Sequence, residues 1–313
     1  MKKLLKAIGY LLGSILVIIV VLLAFLVEKD KSVASLKPLY TNSSSAFMPL
    51  MGMQVHYRDE GIATDSLPMI LLHGMSSSLN TWDSVVLLLK DKKRLISLDL
   101  PAFGLTGPNL NNEYSFAFYN QFLDSFLNKL HINKCIIAGN SLGGAIAWHY
   151  SLAQPNKLAQ LILVDAAGYS NKSAKGSLGF KIASTPVINN LLLYVTPKIL
   201  VKKSLEGIYF NKNMVTDAQV ERFHDMAISA GNRNAALTIF KKGFEKQPEL
   251  INQISTPTLI IWGDQDQLIP VENAYEFQQN VKGSKLSILH NIGHVPMEET
   301  PIAFTEIIKG FIK

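Results

Sequence analysis

The feature that most constrains the fold is an alternation along the chain of short apolar runs and longer stretches compatible with helices. The short runs are rich in β-branched residues and lie at 53–57, 69–72, 95–98, 135–138, 161–164, 259–262 and 286–289. Between most of them apolar residues recur at helical spacing, as in "SFAFYNQFLDSFLNKL", which begins at Ser115. Strands that alternate with helices predict a mostly parallel sheet covered on both faces, with ligands bound beyond the carboxyl ends of its strands. We therefore predict an α/β fold.

The alternation is interrupted between residues 169 and 254, where no strand-like run of comparable quality occurs. Segments of this region have helical spacing and are divided by Pro186, Pro197 and Gly231. A helical insertion between two strands indicates a cap over the carboxyl edge of the sheet. We predict a cap at 169–254 that separates two parts of one core, 51–168 and 255–313.

The N-terminal region contains a long apolar run. Residues 7–27, "AIGYLLGSILVIIVVLLAFLV", include no charged residue and would span roughly 30 Å as a helix. A cleaved signal peptide and a buried helix are the alternatives, but a signal peptide has a shorter apolar region that ends in small residues. We predict a single-pass transmembrane anchor at 1–30, followed by a polar linker at 31–50.

The lysines on either side of the apolar run bear on its orientation. Lys2, Lys3 and Lys6 precede the run, and Lys29 and Lys31 follow it. Acidic residues count little in the positive-inside rule, so the small excess of lysine favours a cytoplasmic N-terminus. We therefore expect the folded domain on the extracytoplasmic side of the membrane.

The net charge of +6 raises the question of a nucleic-acid partner. No basic run is interleaved with aromatic residues, and Lys29, Lys31 and Lys37 lie near the predicted anchor, so attraction to anionic lipid is the simpler interpretation. Cys135 is the only cysteine, which excludes an intrachain disulfide and the cysteine patterns of zinc sites. With no metal-ligand cluster and no nucleotide-binding loop in the sequence, we expect no cofactor, no metal and no nucleic-acid partner.

A candidate nucleophile lies in "GNSLGG", which follows the apolar run "CIIA" and precedes the helix-compatible "AIAWHYSLA". The stretch fits G-x-S-x-G, in which a serine occupies a sharp turn from a strand to a helix and exposes its hydroxyl above the sheet. The neighbours of such a turn must be small, so we expect side chains at Gly139 and Gly143 to collide with nearby atoms. We predict that Ser141 is the nucleophile.

A serine hydroxyl needs a general base, usually a histidine oriented by a carboxylate. His294 follows the last predicted strand, where a loop can reach Ser141. Asp266 follows another strand and gives the chain order serine, acid, histidine that is found in this architecture. Asp264 and Asp165, which also follow strands, are the alternatives for the acid.

Other histidines and acids near strand ends have simpler roles. Asp99 opens "DLPAFGLTG", a turn in which an aspartate can accept hydrogen bonds from backbone N–H groups. His56 has no placement comparable to that of the predicted base. We predict that Asp99 is structural and that His56 is either structural or at the surface.

The reaction also requires N–H donors for a developing oxyanion. The backbone N–H of Leu142, at the start of the helix after the serine, is one candidate, and that of Met75 in "LLHGMSSS" is the other. We expect His73 and Gly74 to support this loop, with His73 bracing it through side-chain hydrogen bonds.

The stretches "LLHGM", "DLPAFGLTG", "GNSLGG", "WGDQDQLIP" and "GHVPMEETP" occur in the order found in the α/β-hydrolase superfamily, and residues 52–313 resemble it. The resemblance implies an eight-stranded type of sheet, a triad of Ser141, Asp266 and His294, and a helical lid between the sixth and seventh strands. It specifies the substrate poorly, because one fold hosts many chemistries.

Within the superfamily, Ser141 argues against the branches that use an aspartate nucleophile. Asn140 is similar to the residue found in carbon–carbon bond hydrolases of ring-fission products, but "HGMSSSLNTW" lacks their glycine-rich loop. A predicted anchor followed by a hydrolase domain resembles membrane-attached serine hydrolases such as monoacylglycerol lipases. We predict a serine hydrolase of lipid-like or small acyl esters, with a carbon–carbon hydrolase and an inactive binding protein as alternatives.

Overall fold

The computed structural model describes residues 2–169, 178–186, 188–245 and 247–312. Its strands are β1 (Ser45–Leu50), β2 (Met53–Gly61), β3 (Met69–Leu72), β4 (Arg94–Leu98), β5 (Cys135–Asn140), β6 (Leu158–Val164), β7 (Thr258–Gly263) and β8 (Lys285–Leu289). The helices before β7 are α1 (Lys2–Phe25), α2 (Val33–Tyr40), α3 (Asp83–Leu89), α4 (Phe116–Lys129), α5 (Leu142–Ala153), α6 (Leu178–Ser184), α7 (Lys198–Glu206), α8 (Asp217–Ala227) and α9 (Asn232–Lys242). Those after β7 are α10 (Glu272–Asn280), α11 (Pro296–Glu299) and α12 (Pro301–Phe311).

The strands form one eight-stranded sheet in the order β1-β2-β4-β3-β5-β6-β7-β8. Strands β3 to β8 are parallel to one another, whereas β2 pairs antiparallel with both β1 and β4. Every residue of β3, β5 and β7 is buried, as expected for central strands covered on both faces. The predicted mostly parallel sheet is confirmed.

The core is divided between the two faces of the sheet. In β3, Ile70 packs in one buried cluster and its neighbour Leu71 in the other, because successive side chains of a strand point to opposite faces. Phe122 of α4 belongs to the first cluster, and Phe304 of α12 belongs to the second. Helices therefore cover both faces and leave the carboxyl edge to the loops.

The predicted linker at 31–50 is wrong, because these residues form α2 and β1. Strand β1 pairs with β2 in a register that places Phe47 opposite His56, and α2 buries Leu36 completely. Helix α2 begins after Ser32, whose hydroxyl accepts the backbone N–H of Ser35. The sequence of β1 contains no β-branched residue and includes Pro49, so no local pattern marks it as a strand, and its pairing with β2 decides its structure.

The predicted anchor lies on α1. Within the part of the chain that the structure describes, no helix is long and apolar enough to cross a membrane. The side chains at 15–16 and 18–24, in the middle of the apolar run, lie outside the described ones. The structure therefore gives the predicted anchor no support.

Helices α6 to α9 lie between β6 and β7, where the sequence predicts the cap. Residues 170–177, 187 and 246 of that region lie outside the described residues. The segment that follows α1 contacts the cap: the N–H of Glu28 donates to the carbonyl of Tyr194 at 2.9 Å, and that of Lys31 donates to the carbonyl of Ile228 at 2.8 Å. The N-terminal segment is thus fastened to the element that covers the site.

Candidate active site

Ser141 lies at the turn from β5 to α5, with φ of 55° and ψ of −115°. A positive φ is strained for a residue with a side chain, and such strain persists only when the surroundings hold it. The N–H of Ser141 donates to the carbonyl of Val164 at 3.0 Å, and its carbonyl accepts the N–H groups of Ala145 and Ala167 at 3.0 and 3.1 Å. Neighbouring strand and helix therefore fix the conformation that was expected for the turn.

Two glycines make this turn sterically feasible. A Cβ atom on Gly139 would lie 2.2 Å from the carbonyl oxygen of Gly143, and one on Gly143 would lie 2.4 Å from the carbonyl oxygen of Leu72. Both atoms met are backbone, which cannot move away as a flexible side chain can. The predicted collision of side chains at these two positions is therefore found.

His294 is paired with Asp266. The distance from His294 Nδ1 to Asp266 Oδ2 is 2.6 Å, and both residues are buried. The other oxygen of Asp266 accepts the backbone N–H groups of Leu268 and Ile269 at 2.7 and 3.0 Å. Because the carboxylate accepts a proton from Nδ1, Nε2 of the neutral imidazole is the free acceptor. Among the described contacts, no hydrogen bond joins this nitrogen to Ser141 in this conformation.

Asp165, one alternative for the acid, lies directly behind this pair. It follows β6, has φ of 43° and is completely buried. One of its oxygens accepts the N–H of Gly263 at 3.0 Å, and ligand atoms of Asp165, Asp266 and His294 lie within 4.8 Å of one another. Burial, together with the charge of Asp266, raises the pKa of Asp165 well above its ordinary value. The other oxygen of Asp165 is buried and has no hydrogen-bond partner among the described residues, which also disfavours a negative charge on this carboxyl group.

These three groups could also ligate a metal ion by their proximity. However, the hydrogen bond between His294 and Asp266 already uses one ligand atom of each residue. A carboxyl group whose pKa is raised is also a weaker metal ligand, since metals bind carboxylates. The arrangement fits a hydrogen-bonded pair of carboxylate and imidazole, with a second carboxyl group beside it, better than it fits a metal site.

Asp264, the other alternative, faces away from the site. Its side chain pairs with Nδ1 of His290 at 2.9 Å and accepts the N–H of Asn291 at 2.8 Å. The side chain of His290 is 81% exposed, so this pair lies at the surface. Of the three candidate acids, the structure brings Asp266 and Asp165 to His294 and leaves Asp264 outside.

The loop after β3 is held by His73. Its Nδ1 donates to the carbonyl of Gly74 at 2.7 Å, and its Nε2 accepts the N–H of Leu100 at 2.9 Å. Burial lowers the pKa of His73 despite the opposing effect of the Asp99 carboxylate, so the imidazole is neutral, as these two partners require. The contacts match the bracing role expected for His73.

The two predicted oxyanion donors lie beside the turn. Met75 lines the cavity described below, and its N–H has no hydrogen-bond acceptor among the described residues. Leu142 is the first residue of α5, where a backbone N–H has no partner within the helix. Asn140 donates to the carbonyls of Val164 and His294 at 3.2 and 3.0 Å, and so connects the turn to the histidine loop.

Ser141 and His294 line the same cavity, which has a volume of about 240 Å³. The core contributes its floor, and the cap contributes most of the remaining wall. The apolar residues of the cap wall are Ala183, Leu192, Leu200, Val201, Leu205, Ile208, Phe223, Met226, Ala227, Ala236, Leu237 and Phe240. Such a wall suits the hydrocarbon part of a ligand.

Two polar residues of the cavity wall, Asn232 and Arg233, have no recognisable sequence signature. They begin α9 in "GNRNAAL", a stretch whose composition is typical of any polar helix start. Only the folding of the cap against the core brings them to the cavity that Ser141 lines. These two residues could be recognised as lining the cavity only once the contact between the cap and the core is known.

Comparisons with known proteins agree with this geometry. The family described as alpha/beta hydrolase fold matches residues 68–183, which include β3 to β6 and the serine turn. The crystal structure of a membrane phospholipase A superposes with a TM-score of 0.73 at 24% identity, over 99% of this chain and 98% of that chain. The chain has the α/β-hydrolase fold.

The relatives that resemble this chain in sequence carry different names. It is 27% identical over 265 residues to an uncharacterised hydrolase, YugF, of Bacillus subtilis, which covers 82% of this chain and 93% of that protein. It is 26% identical over 275 residues, 83% of this chain and 91% of the relative, to a 2-hydroxy-6-oxononadienedioate/2-hydroxy-6-oxononatrienedioate hydrolase of Klebsiella pneumoniae. A meta-cleavage product hydrolase superposes with a TM-score of 0.73 at 21% identity, over 86% of this chain and 98% of that chain. These comparisons agree on a hydrolase of the α/β-hydrolase fold and do not agree on a substrate.

Proposed function

We propose that the protein is a serine hydrolase that cleaves carboxylic esters through an acyl-enzyme. The observation that carries the proposal is the position of Ser141, on a strained turn that lines the same apolar cavity as His294, whose Nδ1 is bound to buried Asp266. A serine with no catalytic task would not be expected at a backbone conformation that costs of order 1–3 kcal/mol.

The proposed reaction assigns each group one task. Ser141 Oγ attacks the ester carbonyl carbon while His294 Nε2 takes the hydroxyl proton, and Asp266 stabilises the resulting imidazolium. The N–H groups of Met75 and Leu142 donate to the developing oxyanion, and each such donor typically lowers the barrier by about 3 kcal/mol. His294 then returns the proton to the leaving alcohol, and a water molecule hydrolyses the acyl-enzyme by the same sequence.

The substrate class follows from the cavity and from the predicted anchor. The apolar cap wall favours an acyl chain, and attachment through residues 7–27 would place the site beside lipids or their hydrolysis products. The neighbour that matches 99% of this chain is named a membrane phospholipase A; at 24% identity the likeness concerns the fold, and it supplies a substrate class to test. We propose lipid-like or small acyl esters as substrates.

The test of the reaction combines labelling with turnover. Full-length protein should react with a fluorophosphonate probe and hydrolyse p-nitrophenyl esters of graded chain length, and Ser141→Ala should do neither. Absence of labelling in correctly folded protein would favour an inactive binding protein on this fold.

A carbon–carbon bond hydrolase is the second candidate, because Asn140 and the Klebsiella pneumoniae relative both point to that branch. In this structure, however, the Asn140 amide is occupied by two backbone carbonyls, so it serves to connect loops. Robust turnover of a vinylogous diketone together with negligible ester cleavage would establish this alternative.

We also propose that the chain is a single-pass membrane protein with its hydrolase domain on the extracytoplasmic side. The support is the uncharged run at 7–27 and the lysine excess before it. Carbonate washing should leave the full-length protein in the membrane pellet, and alkaline phosphatase fused after the last residue should be active. A mature protein that begins near Ser32 would instead identify the run as a signal peptide.

A further inference from the structure

One positively charged side chain lines the cavity. Among the described lining residues, Arg233 is the only lysine, arginine, aspartate or glutamate. It belongs to α9 of the cap, next to Asn232, and the wall around it is mostly apolar. A guanidinium in a mostly apolar wall requires an explanation. Burying a charge costs free energy unless the charge is paired and its donors are hydrogen-bonded.

The orientation of Arg233 is fixed by the segment that follows α1. Its Nε donates to Asp30 Oδ1 at 2.8 Å, and its Nη2 donates to the carbonyl of Glu28 at 2.7 Å. The side chain of Arg233 is only 8% exposed, whereas that of Asp30 is 35% exposed. Asp30 Oδ1 also lies 2.6 Å from Nη2, so the carboxylate pairs with two nitrogens of the guanidinium, although solvent screens Asp30 more than Arg233.

One nitrogen of the Arg233 guanidinium has no hydrogen-bond partner among the described residues. Nη1 of Arg233 is buried and has no hydrogen-bond partner in the described part of the chain, and the same holds for Oδ1 of the adjacent Asn232. A buried donor of a charged group is normally paired, so this nitrogen is the place where a ligand oxygen would complete the set. The adjacent amide oxygen offers an acceptor for a hydroxyl group of the same ligand.

We infer that Arg233 is a specificity residue that binds an anionic oxygen group, a phosphate or a carboxylate, carried by the ester that occupies the cavity. The inference rests on the proposed function, since it assigns the charge of that ester. A planar guanidinium with a free N–H is suited to both groups. The apolar cap wall would then hold the acyl chain of an amphiphile whose anionic group meets Arg233.

The competing explanation is that Arg233 only fastens residues 28–31 to the cap. The two explanations predict different effects of Asp30→Asn on the binding of an anion. Asp30→Asn keeps an oxygen that can accept a hydrogen bond but removes the negative charge, so it should strengthen anion binding at Arg233. If the ion pair only fastens the segment, Asp30→Asn and Arg233→Met should act in the same direction.

The experiment measures binding without turnover, in the full-length protein carrying Ser141→Ala. Calorimetry compares 1-butanoylglycerol 3-phosphate with 1-butanoylglycerol, and 4-butanoyloxybutanoate with its methyl ester. We expect at least one anion to bind about tenfold more tightly than its neutral partner, which corresponds to about 1.4 kcal/mol. The pair that shows this preference identifies phosphate or carboxylate as the group bound.

Arg233→Met should abolish the preference, and Asp30→Asn should preserve or increase it. Arg222→Met is the matched control, because Arg222 also belongs to the cap but does not line the cavity, and it should leave the preference unchanged. Equal binding within both pairs, a preference that survives Arg233→Met, or a preference lost in Asp30→Asn would each overturn the inference. Failure of the wild-type protein to cleave any ester would instead count against the proposed function, since the calorimetric preference is measured in a variant that lacks the nucleophile.

Discussion

Among the described residues, two buried histidines each form a short hydrogen bond from Nδ1 to a buried aspartate, and only one of these pairs belongs to the candidate active site. Nδ1 of His294 lies 2.6 Å from Asp266, and Nδ1 of His56 lies 2.7 Å from Asp99. All four residues are buried. Geometry within the pair therefore does not distinguish a catalytic role from a structural one.

The difference lies in the other atoms of each pair. Nε2 of His56 is already bonded to the hydroxyl of Ser45 at 3.1 Å, and Phe47 stacks on the imidazole ring with centroids 4.9 Å apart. Ser45 lies in β1, where its hydroxyl also accepts from Arg58. Both ring nitrogens of His56 therefore have hydrogen-bond partners at the edge of the sheet, and the His56–Asp99 pair stabilises β1 and the turn after β4.

Asp99 completes this saturation with its remaining acceptor sites. It accepts the backbone N–H groups of Leu79 and Leu105, both at 2.8 Å. These contacts match the structural role that the sequence predicts for Asp99, and of the two roles left open for His56, structural or surface, they support the structural one. His294, by contrast, lines the cavity with Ser141, whose strained turn has no counterpart at Ser45. The comparison teaches that an open nitrogen beside a strained serine, and not the acid–histidine pair itself, marks the site.

The largest expected effect concerns two serines, Ser141, which lines the cavity with His294, and Ser45, which is bonded to His56. Ser141→Ala should reduce kcat for an activated ester by roughly 10⁴–10⁶-fold with little change in Tm, because the nucleophile is lost and its turn remains. Ser45→Ala should leave kcat within about twofold and lower the free energy of unfolding by about 1 kcal/mol. Steady-state kinetics and thermal unfolding of the two variants decide the matter. Comparable loss of kcat in both would contradict the distinction drawn here.

The next effect concerns the acids. Asp266→Asn should lower kcat by roughly 10³–10⁴-fold, because an amide in place of the carboxylate favours the wrong tautomer of His294. Asp99→Asn should instead lower the free energy of unfolding by about 2–4 kcal/mol, because His56 loses its buried partner, while kcat of the folded fraction is retained. Urea unfolding monitored beside active-site titration separates the two outcomes. Near wild-type turnover of Asp266→Asn would show that the acid is misassigned.

The smallest effect concerns Asp165, which has no equivalent behind the His56 pair. The pKa of Asp165 is raised on folding by burial and by Asp266, so its contribution to stability is fully present below the unfolded pKa and is lost as the pH rises. Asp165→Asn removes this ionisation from the unfolded state and keeps an N–H donor toward Asp266. We expect its Tm at pH 8 to exceed that of the wild type by a few degrees.

The advantage of Asp165→Asn should shrink as the pH falls toward about 4, near the ordinary pKa of an aspartate. Calorimetric scans across this range measure it, with Asp264→Asn as the control, because Asp264 lies at the surface beside His290. A Tm difference independent of pH would mean that Asp165 is not held neutral by its surroundings.

Much of the fold could be predicted from the sequence because its strands are locally recognisable. The runs at 69–72 and 135–138 lie in β3 and β5, since buried strands need continuous apolar sequence. Strand β1 could not be predicted in this way, because an edge strand has one partner and tolerates "SAFMPL". Its structure depends on β2, which is a contact between strands and not a property of the segment.

The candidate site also has parts that could be predicted from local sequence and parts that could not. The sequence by itself determined the serine turn, because the constraint on Gly139 and Gly143 arises from backbone atoms a few residues away and in the adjoining strand. It also placed His294 and three candidate acids at strand ends, since parallel strands deliver their carboxyl ends to one edge.

Only the tertiary structure decided which acid is hydrogen-bonded to His294 and which positively charged side chain lines the cavity. Asp264 and Asp266 are two residues apart, yet one faces solvent with His290 and the other is buried against His294. Arg233 is held by Asp30 across 203 positions of sequence, a contact that leaves no local pattern in either segment. The physical reason is range: steric limits on a turn act between near neighbours and are written in the local sequence, whereas charge pairing and burial depend on which surfaces the folded chain brings together.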